Sequence, residues 1–249
     1  MTTRGTAAAV EPLDGFPHAR IVFQPIVDLR SWAVVGFEAL ARFDDGGSPP
    51  SYLAHAEELG VREELELLLI AQAVAITPEL PEGMSVTVNA SGATVLREEL
   101  AAVVAPVTRR WGVEITEGET EADLAAVRER VTALGGGLLV DDAGAVCADE
   151  TRIARLRPDV VKIDRGLFWQ PAGDRDARAR LDSLLAAARE AGAGVLVEGV
   201  ADAEHVERAI ALGFDYGQGY HLGMPTPVDQ IGELLSDLHR SIGVDAPGL

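Results

Sequence analysis

Eight short runs rich in Val, Ile and Leu recur along this chain, and all but the first two are separated by enough residues to hold a helix. The runs are Ile21–Val27, Val34–Leu40, Met84–Asn89, Gly112–Thr116, Gly137–Asp141, Asp159–Ile163, Gly194–Val197 and Phe214–Gly219. Each reads as a strand bounded by turn residues. Apolar residues at helical spacing fill Glu63–Ala75, Glu121–Leu134, Asp176–Ala191, Ala203–Leu212 and Asp229–His239, several behind an acidic or Thr/Asp cap. Strands alternating with helices in this number predict an α/β fold, a TIM-like (β/α)8 barrel. One connection breaks the rule. Only six residues, Asp28 to Ala33, join the first two strands, and a parallel crossover needs about a dozen. The first strand is therefore expected to be antiparallel to the rest.

The remaining composition narrows the setting. With 249 residues, 47% of them hydrophobic, the chain has enough apolar side chain for one large core. A net charge of −19 opposes binding to DNA, RNA or an anionic membrane surface, because no basic stripe neutralises phosphates. The single cysteine, Cys147, forms no internal disulfide and suits a reducing compartment. No secretory core or membrane-length apolar stretch occurs, so a cytoplasmic protein is expected. The organisation read from the sequence is a flexible segment over residues 1–16, a barrel domain over 17–243 and a flexible tail over 244–249.

The polar residues fall at the strand ends. Glu38, Asn89, Glu114, Asp141, Asp142, Lys162, Asp164, Glu198 and Gln218 each close or directly follow an apolar run. In a parallel barrel those carboxyl-terminal ends meet on the rim where barrel enzymes carry out chemistry. Any one acid could instead cap the next helix. Together, Glu38, Glu114, Asp141, Asp142 and Glu198 would repel one another unless cations or protons neutralised them. An all-oxygen set suits Mg2+ or Mn2+ rather than zinc or copper. The five histidines are scattered and form no HExxH, and the chain has no nucleophile elbow, phosphate loop or dinucleotide fingerprint.

The segment Gln24 to Arg42, containing QPIVDL and GFEALAR, resembles the opening of the EAL-domain cyclic di-GMP phosphodiesterases. The resemblance continues in order through Val88-Asn89-Ala90-Ser91, Glu114-Ile115-Thr116-Glu117, Asp141-Asp142, Lys162-Ile163-Asp164, Glu198-Gly199-Val200 and Gln218-Gly219-Tyr220. It implies a barrel with a reversed first strand and hydrolysis of cyclic di-GMP to linear pGpG. By the same resemblance Glu38, Asn89, Glu114, Asp141, Asp142 and Glu198 hold divalent metal, two Mg2+ or Mn2+ ions. Lys162 orients or activates the attacking water, and Glu38 and Glu198 join it in catalysis. Gln24, Arg42 and Gln218 match substrate-binding positions, Asp164 supports the network, and Glu117 anchors the loop after the paired aspartates. A homodimer, and a sensory domain or partner outside this chain, are arrangements the family uses.

The chain departs from the family at two places. The loop after Asp142 reads Ala143-Gly144-Ala145-Val146-Cys147-Ala148-Asp149, without the family's Thr and Ser hydroxyls, and Ala201 stands where a glutamate is usual. These changes leave a second reading: a catalytically weak or silent module that binds cyclic di-GMP or a protein partner.

Overall fold

Asp28 sets the turn between the first two strands. Its carboxylate accepts from the backbone N–H groups of Arg30 (3.0 Å) and Ser31 (2.8 Å) and from the Ser31 hydroxyl (3.0 Å), a side-chain-stabilised turn that needs few residues. Trp32 takes a left-handed backbone (φ 61°) to complete it. Strand β1 (Ala19–Asp28) thereby folds back on β2 (Val34–Phe43) as an antiparallel hairpin, pairing Gln24 with Glu38. The short connection has the consequence expected of it.

In this computed structural model, which describes residues 13–115, 124–145, 149–171 and 173–242, six further strands follow in parallel. They are β3 (Ser85–Asn89), β4 (Trp111–Ile115), β5 (Gly137–Ala143), β6 (Val160–Ile163), β7 (Gly194–Val197) and β8 (Tyr216–Gly217). The sheet closes in sequence order, with β1 antiparallel to both β2 and β8. The fold is the TIM-like barrel with a reversed first strand. Residues 1–12 and 243–249, which include most of the expected flexible ends, lie outside the described residues. Phe16, in the leading segment, is buried against Ala56 and Leu65.

The core follows from the two-residue period of the strands. Outward-facing Val86 and Val88, Val113 and Ile115, Leu138 and Val140, Val161 and Ile163 are buried beneath the helices. The helix Arg175–Ala191 shows how the cover is built. Asp174 caps its first turn by accepting from the N–H groups of Asp176 and Ala177, Gly192 ends it in a left-handed conformation, and Leu181, Leu184, Leu185 and Ala188 form its buried stripe. No helix among the described residues is long and apolar enough to cross a membrane.

Two differences from the sequence expectations have physical causes. Strand β8 is two residues long rather than Phe214–Gly219, because Phe214 turns into the outer core and the chain leaves the barrel after Gly217 to meet the turn after β7. There Val200 N–H donates to the Gln218 carbonyl and His221 N–H to the Val200 carbonyl, both at 3.0 Å. The helices Gly92–Leu96, Glu99–Val104, Asp149–Leu156 and Arg165–Phe168 were not anticipated. Each spans about one or two turns, too short to display a period.

The contact between Gln218-Gly219 and Val200 requires glycine. A β-carbon at Gly219 would lie 2.2 Å from Val200 N and 2.3 Å from Val200 O, both backbone atoms. Gly219→Ala should lower stability by roughly 2–3 kcal/mol, measured by urea denaturation, with a larger loss than Gly232→Ala, where nothing lies near the added carbon.

Candidate active site

Alternation along the strands places one polar side chain from nearly every strand on the inner face of the same rim. Gln24 comes from β1, Glu38 from β2, Asn89 from β3, Glu114 from β4, Asp141 from β5 and Lys162 from β6. Glu198 and Gln218 directly follow β7 and β8. At the centre stands Lys162, 1% exposed. Its Nζ lies 2.5 Å from Glu114 Oε2, 2.7 Å from Asp141 Oδ1, 2.8 Å from Glu198 Oε1 and 3.3 Å from Glu38 Oε2. Residues separated by up to 160 positions in sequence thus share one ammonium group. Glu38 is fixed further by Asn89 Nδ2, which donates to Oε1 at 2.9 Å, and by Gln218 Nε2, which donates to Oε2 at 2.8 Å.

Asp141 and Asp142 are adjacent, so regular alternation would turn one of them away from the rim. The register between β5 and β6 instead shifts between Val140 and Ala143, and Asp142 adopts a left-handed backbone with φ 54°. Aspartate is among the side chains that tolerate this conformation best, at a cost of roughly 1 kcal/mol. The bulge brings carboxylate oxygens of Asp141, Asp142 and Glu198 within 4.8 Å of one another.

One lysine facing five acids leaves surplus negative charge, and the proton affinities reflect it. Burial, reinforced by Glu38 and Asp141, pushes the Glu114 carboxyl well above its ordinary range against the pull of Lys162. Burial raises Glu198 to about 8, with Asp141 and Glu38 adding to the effect, and raises Asp142 to about 6, with Asp141 adding most. Burial also disfavours the charge on Glu38, but Lys162 and the hydrogen bonds from Asn89 and Gln218 hold that carboxylate below its usual value. For Lys162 burial is likewise opposed and outweighed: Asp141, Glu114, Glu198 and Glu38 keep it charged, its pKa well above normal.

The other residues singled out in the sequence surround this cluster. Gln24 donates from Nε2 to the Gly223 carbonyl (3.2 Å) and accepts at Oε1 from Gln218 (3.3 Å). Half-buried Arg42 donates to the Ala41 carbonyl at 2.7 Å and lines, with Glu38, Asp142, Asp164, Glu198 and Gln218, a cavity of about 450 Å3. Asp164 caps the helix Arg165–Phe168 by accepting from Gly166 N–H at 2.8 Å. Glu117, and Val146 to Ala148 of the divergent loop with Cys147, lie outside the described residues. At Ala201 the backbone N–H donates to His205 Nδ1 at 3.3 Å.

Sequence reasoning missed two groups. Glu66, buried on the helix Arg62–Ile76, accepts from Ser91 N–H at 2.7 Å and pairs with Arg62 at 2.9 Å, tying down the turn that follows Asn89. A glutamate among the apolar residues of a helix was the available signal. Trp169, 46% exposed, forms part of the cavity lip with Arg165 and Tyr220. Its indole N–H donates to the Gly199 carbonyl at 2.9 Å, and its ring stacks on His205 at 5.7 Å. No periodicity marks such a residue.

The donor set fits hard divalent cations. It is oxygen-rich and anionic, it has more charge than Lys162 can balance, and Glu114 Oε1 is buried with no hydrogen-bond partner among the described residues.

Comparison with known proteins agrees with this geometry. The family model described as EAL domain matches residues 17–225. The cyclic di-GMP phosphodiesterase RocR of Pseudomonas aeruginosa is 29% identical over 224 residues, covering 82% of this chain and 57% of that protein. The structure of the Pseudomonas aeruginosa MucR phosphodiesterase in complex with c-di-GMP is 25% identical, with a TM-score of 0.76 over 86% of this chain and 99% of that one. That of Klebsiella pneumoniae BlrP1 with manganese and c-di-GMP is 27% identical, with a TM-score of 0.74 over 88% of this chain and 58% of that one. Among the first curated relatives it matches, the chain spans from 27% to 57% of their length. Reversed first strand, bulged aspartate pair and lysine-centred acids are thus found in a chain whose match runs through nearly the whole barrel, and it belongs to the EAL domain family.

Proposed function

We propose that this chain is a metal-dependent phosphodiesterase that hydrolyses cyclic di-GMP to linear pGpG. The observation that carries the reading is the convergence of four carboxylates on Lys162 Nζ within 3.3 Å, beside the bulged Asp142. The similarity to RocR and MucR supplies the substrate class.

In this reading Glu38, Asn89, Glu114, Asp141, Asp142 and Glu198 hold two Mg2+ or Mn2+ ions. Bound there, such ions supply Lewis acidity to a phosphodiester and lower the pKa of a coordinated water. The chain's own residues do the rest. Lys162, held charged by its acids, provides a fixed positive group and a hydrogen-bond donor for the attacking water. Glu38 is oriented by Asn89 and Gln218. Without metal, burial keeps a proton on Glu198 near neutral pH, and a bound cation would displace that proton. Arg42 offers its guanidinium to a phosphate oxygen, a local cation in a negative protein, while Gln24 and Gln218 present amides to the dinucleotide. Asp164 steadies the segment after β6, and Glu117 is assigned the loop-anchoring role. A barrel domain over 17–243, a cytoplasmic setting, a homodimer and a sensory partner outside this chain complete the proposal.

Incubation with cyclic di-GMP and Mn2+ should yield pGpG, resolved by chromatography. Lys162→Ala and the nearly isosteric Glu38→Gln should each lower kcat by about 100-fold or more, with circular dichroism reporting whether the barrel persists. Cyclic di-GMP binding with no pGpG formed by the unaltered chain would overturn the enzymatic reading.

A second prediction concerns pH. Asp142 and Glu198 have raised pKa values, about 6 and about 8, so the folded state retains protons that the unfolded chain releases above about pH 4.5. Stability should therefore fall as pH rises toward about 8 in the presence of a chelator. Mg2+ at pH 8 should restore the melting temperature by about 5 °C, and Glu198→Gln should flatten the pH slope measured with chelator.

A further inference from the structure

Two arginines line the cavity beside the acid cluster, Arg42 on β2 and Arg165 at the start of the short helix after β6. Arg42 has a part in the proposed reaction and Arg165 has none. The Arg165 side chain is nonetheless seated. Its aliphatic stem lies along Gly199, so closely that a β-carbon there would stand 2.5 Å from Arg165 Cβ, 3.2 Å from Cδ and 3.4 Å from Cγ. Gly199 takes a left-handed φ of 67°, which only glycine adopts without strain. The guanidinium carbon of Arg165 lies 5.7 Å from the centre of the Trp169 ring, within reach of a cation–π contact. That ring is fixed in turn by its hydrogen bond to the Gly199 carbonyl and its stacking on His205.

Among the described residues the Arg165 guanidinium makes no ion pair and no hydrogen bond, although Asp142, Asp164 and Glu198 line the same cavity. A planar cation is thus held on the cavity wall with its donors unused. A cyclic dinucleotide carries two phosphodiesters. In the proposed reaction one of them meets the metal ions. The other stays intact, an anion lodged among acids in a chain of net charge −19, and such a charge is tolerated in a cavity only if it is paired.

We propose that Arg165, seated between Gly199 and Trp169, binds the phosphodiester that is not cleaved. The inference rests on the reading of this site as one for cyclic di-GMP and adds a specificity determinant to it. Arg165 favours a dinucleotide with two phosphodiesters over one with a single phosphodiester, because the guanidinium fork gains charge-assisted hydrogen bonds only from the former.

The test is calorimetric titration of the full chain in Ca2+, a hard cation that oxygen ligands accept, with chromatography confirming that the ligand stays intact. Cyclic di-GMP is compared with guanylyl-(3′→5′)-guanosine, which keeps both guanines and has one phosphodiester. Arg165→Ala should weaken cyclic di-GMP about 20-fold and the linear dinucleotide by less than about 3-fold. Arg165→Lys, which keeps the charge, should weaken cyclic di-GMP by no more than about 5-fold. The side chain is exposed, so both variants should melt within about 3 °C of the unaltered protein. An equal loss for the two ligands would assign Arg165 to a guanine or to the reacting phosphodiester, and would overturn the proposal. So would Arg165→Lys binding no better than Arg165→Ala. If the unaltered chain binds no cyclic di-GMP, the reading of the site fails and this inference with it; if it binds and Arg165→Ala leaves the Kd unchanged, this inference alone is overturned.

Discussion

An ammonium group held out of water is tolerated only if nearby anions replace its lost hydration. Lys162 meets that requirement with four carboxylates, and the arrangement constrains the whole barrel because each acid arrives from a different strand. Glu38, Glu114, Asp141 and Glu198 reach one nitrogen only if β2, β4, β5 and β7 keep their register. A slip of one residue in any of them would turn its acid outward, into the layer packed by helices. The site and the sheet are therefore not separable, and the apolar outer layer of Val and Ile holds that register in place.

The same cluster carries more negative charge than its lysine can balance. Neighbouring groups resolve this differently according to their surroundings. Glu38, with two amide donors and the lysine, retains its charge. Glu114, equally buried but with one oxygen unpaired, and Glu198, beside further acids, hold protons more strongly. Similar side chains thus differ in proton affinity because of their hydrogen-bond partners, a familiar route to distinct acid and base roles.

Much of this was legible in the sequence. The eight apolar runs marked the strands, and the six residues between Val27 and Val34 were enough to reverse the first of them. Placing polar residues at strand ends located the rim, since a parallel barrel gathers those ends irrespective of how far apart they lie in the chain. What escaped was local geometry. The bulge that turns Asp142 inward leaves no trace in hydropathy, because two consecutive aspartates look the same whether the strand is regular or shifted. Glu66 was hidden inside a helix whose pattern reads as apolar, and its partner Ser91 reads as an ordinary cap. Trp169 became visible as part of the cavity lip only once the turn after β7 supplied a carbonyl for its indole.

The reversal of β1 also changes which end of the barrel receives the start of the chain. In an all-parallel barrel the first strand begins on the face opposite the reacting groups. Here Ala19 pairs with Phe43 at the far end of β2, beyond Glu38 and Arg42, so the polypeptide enters beside the acidic rim. The leading described residues therefore approach the barrel from the reacting side, with Phe16 anchored on Ala56 and Leu65 of the helices that follow β2.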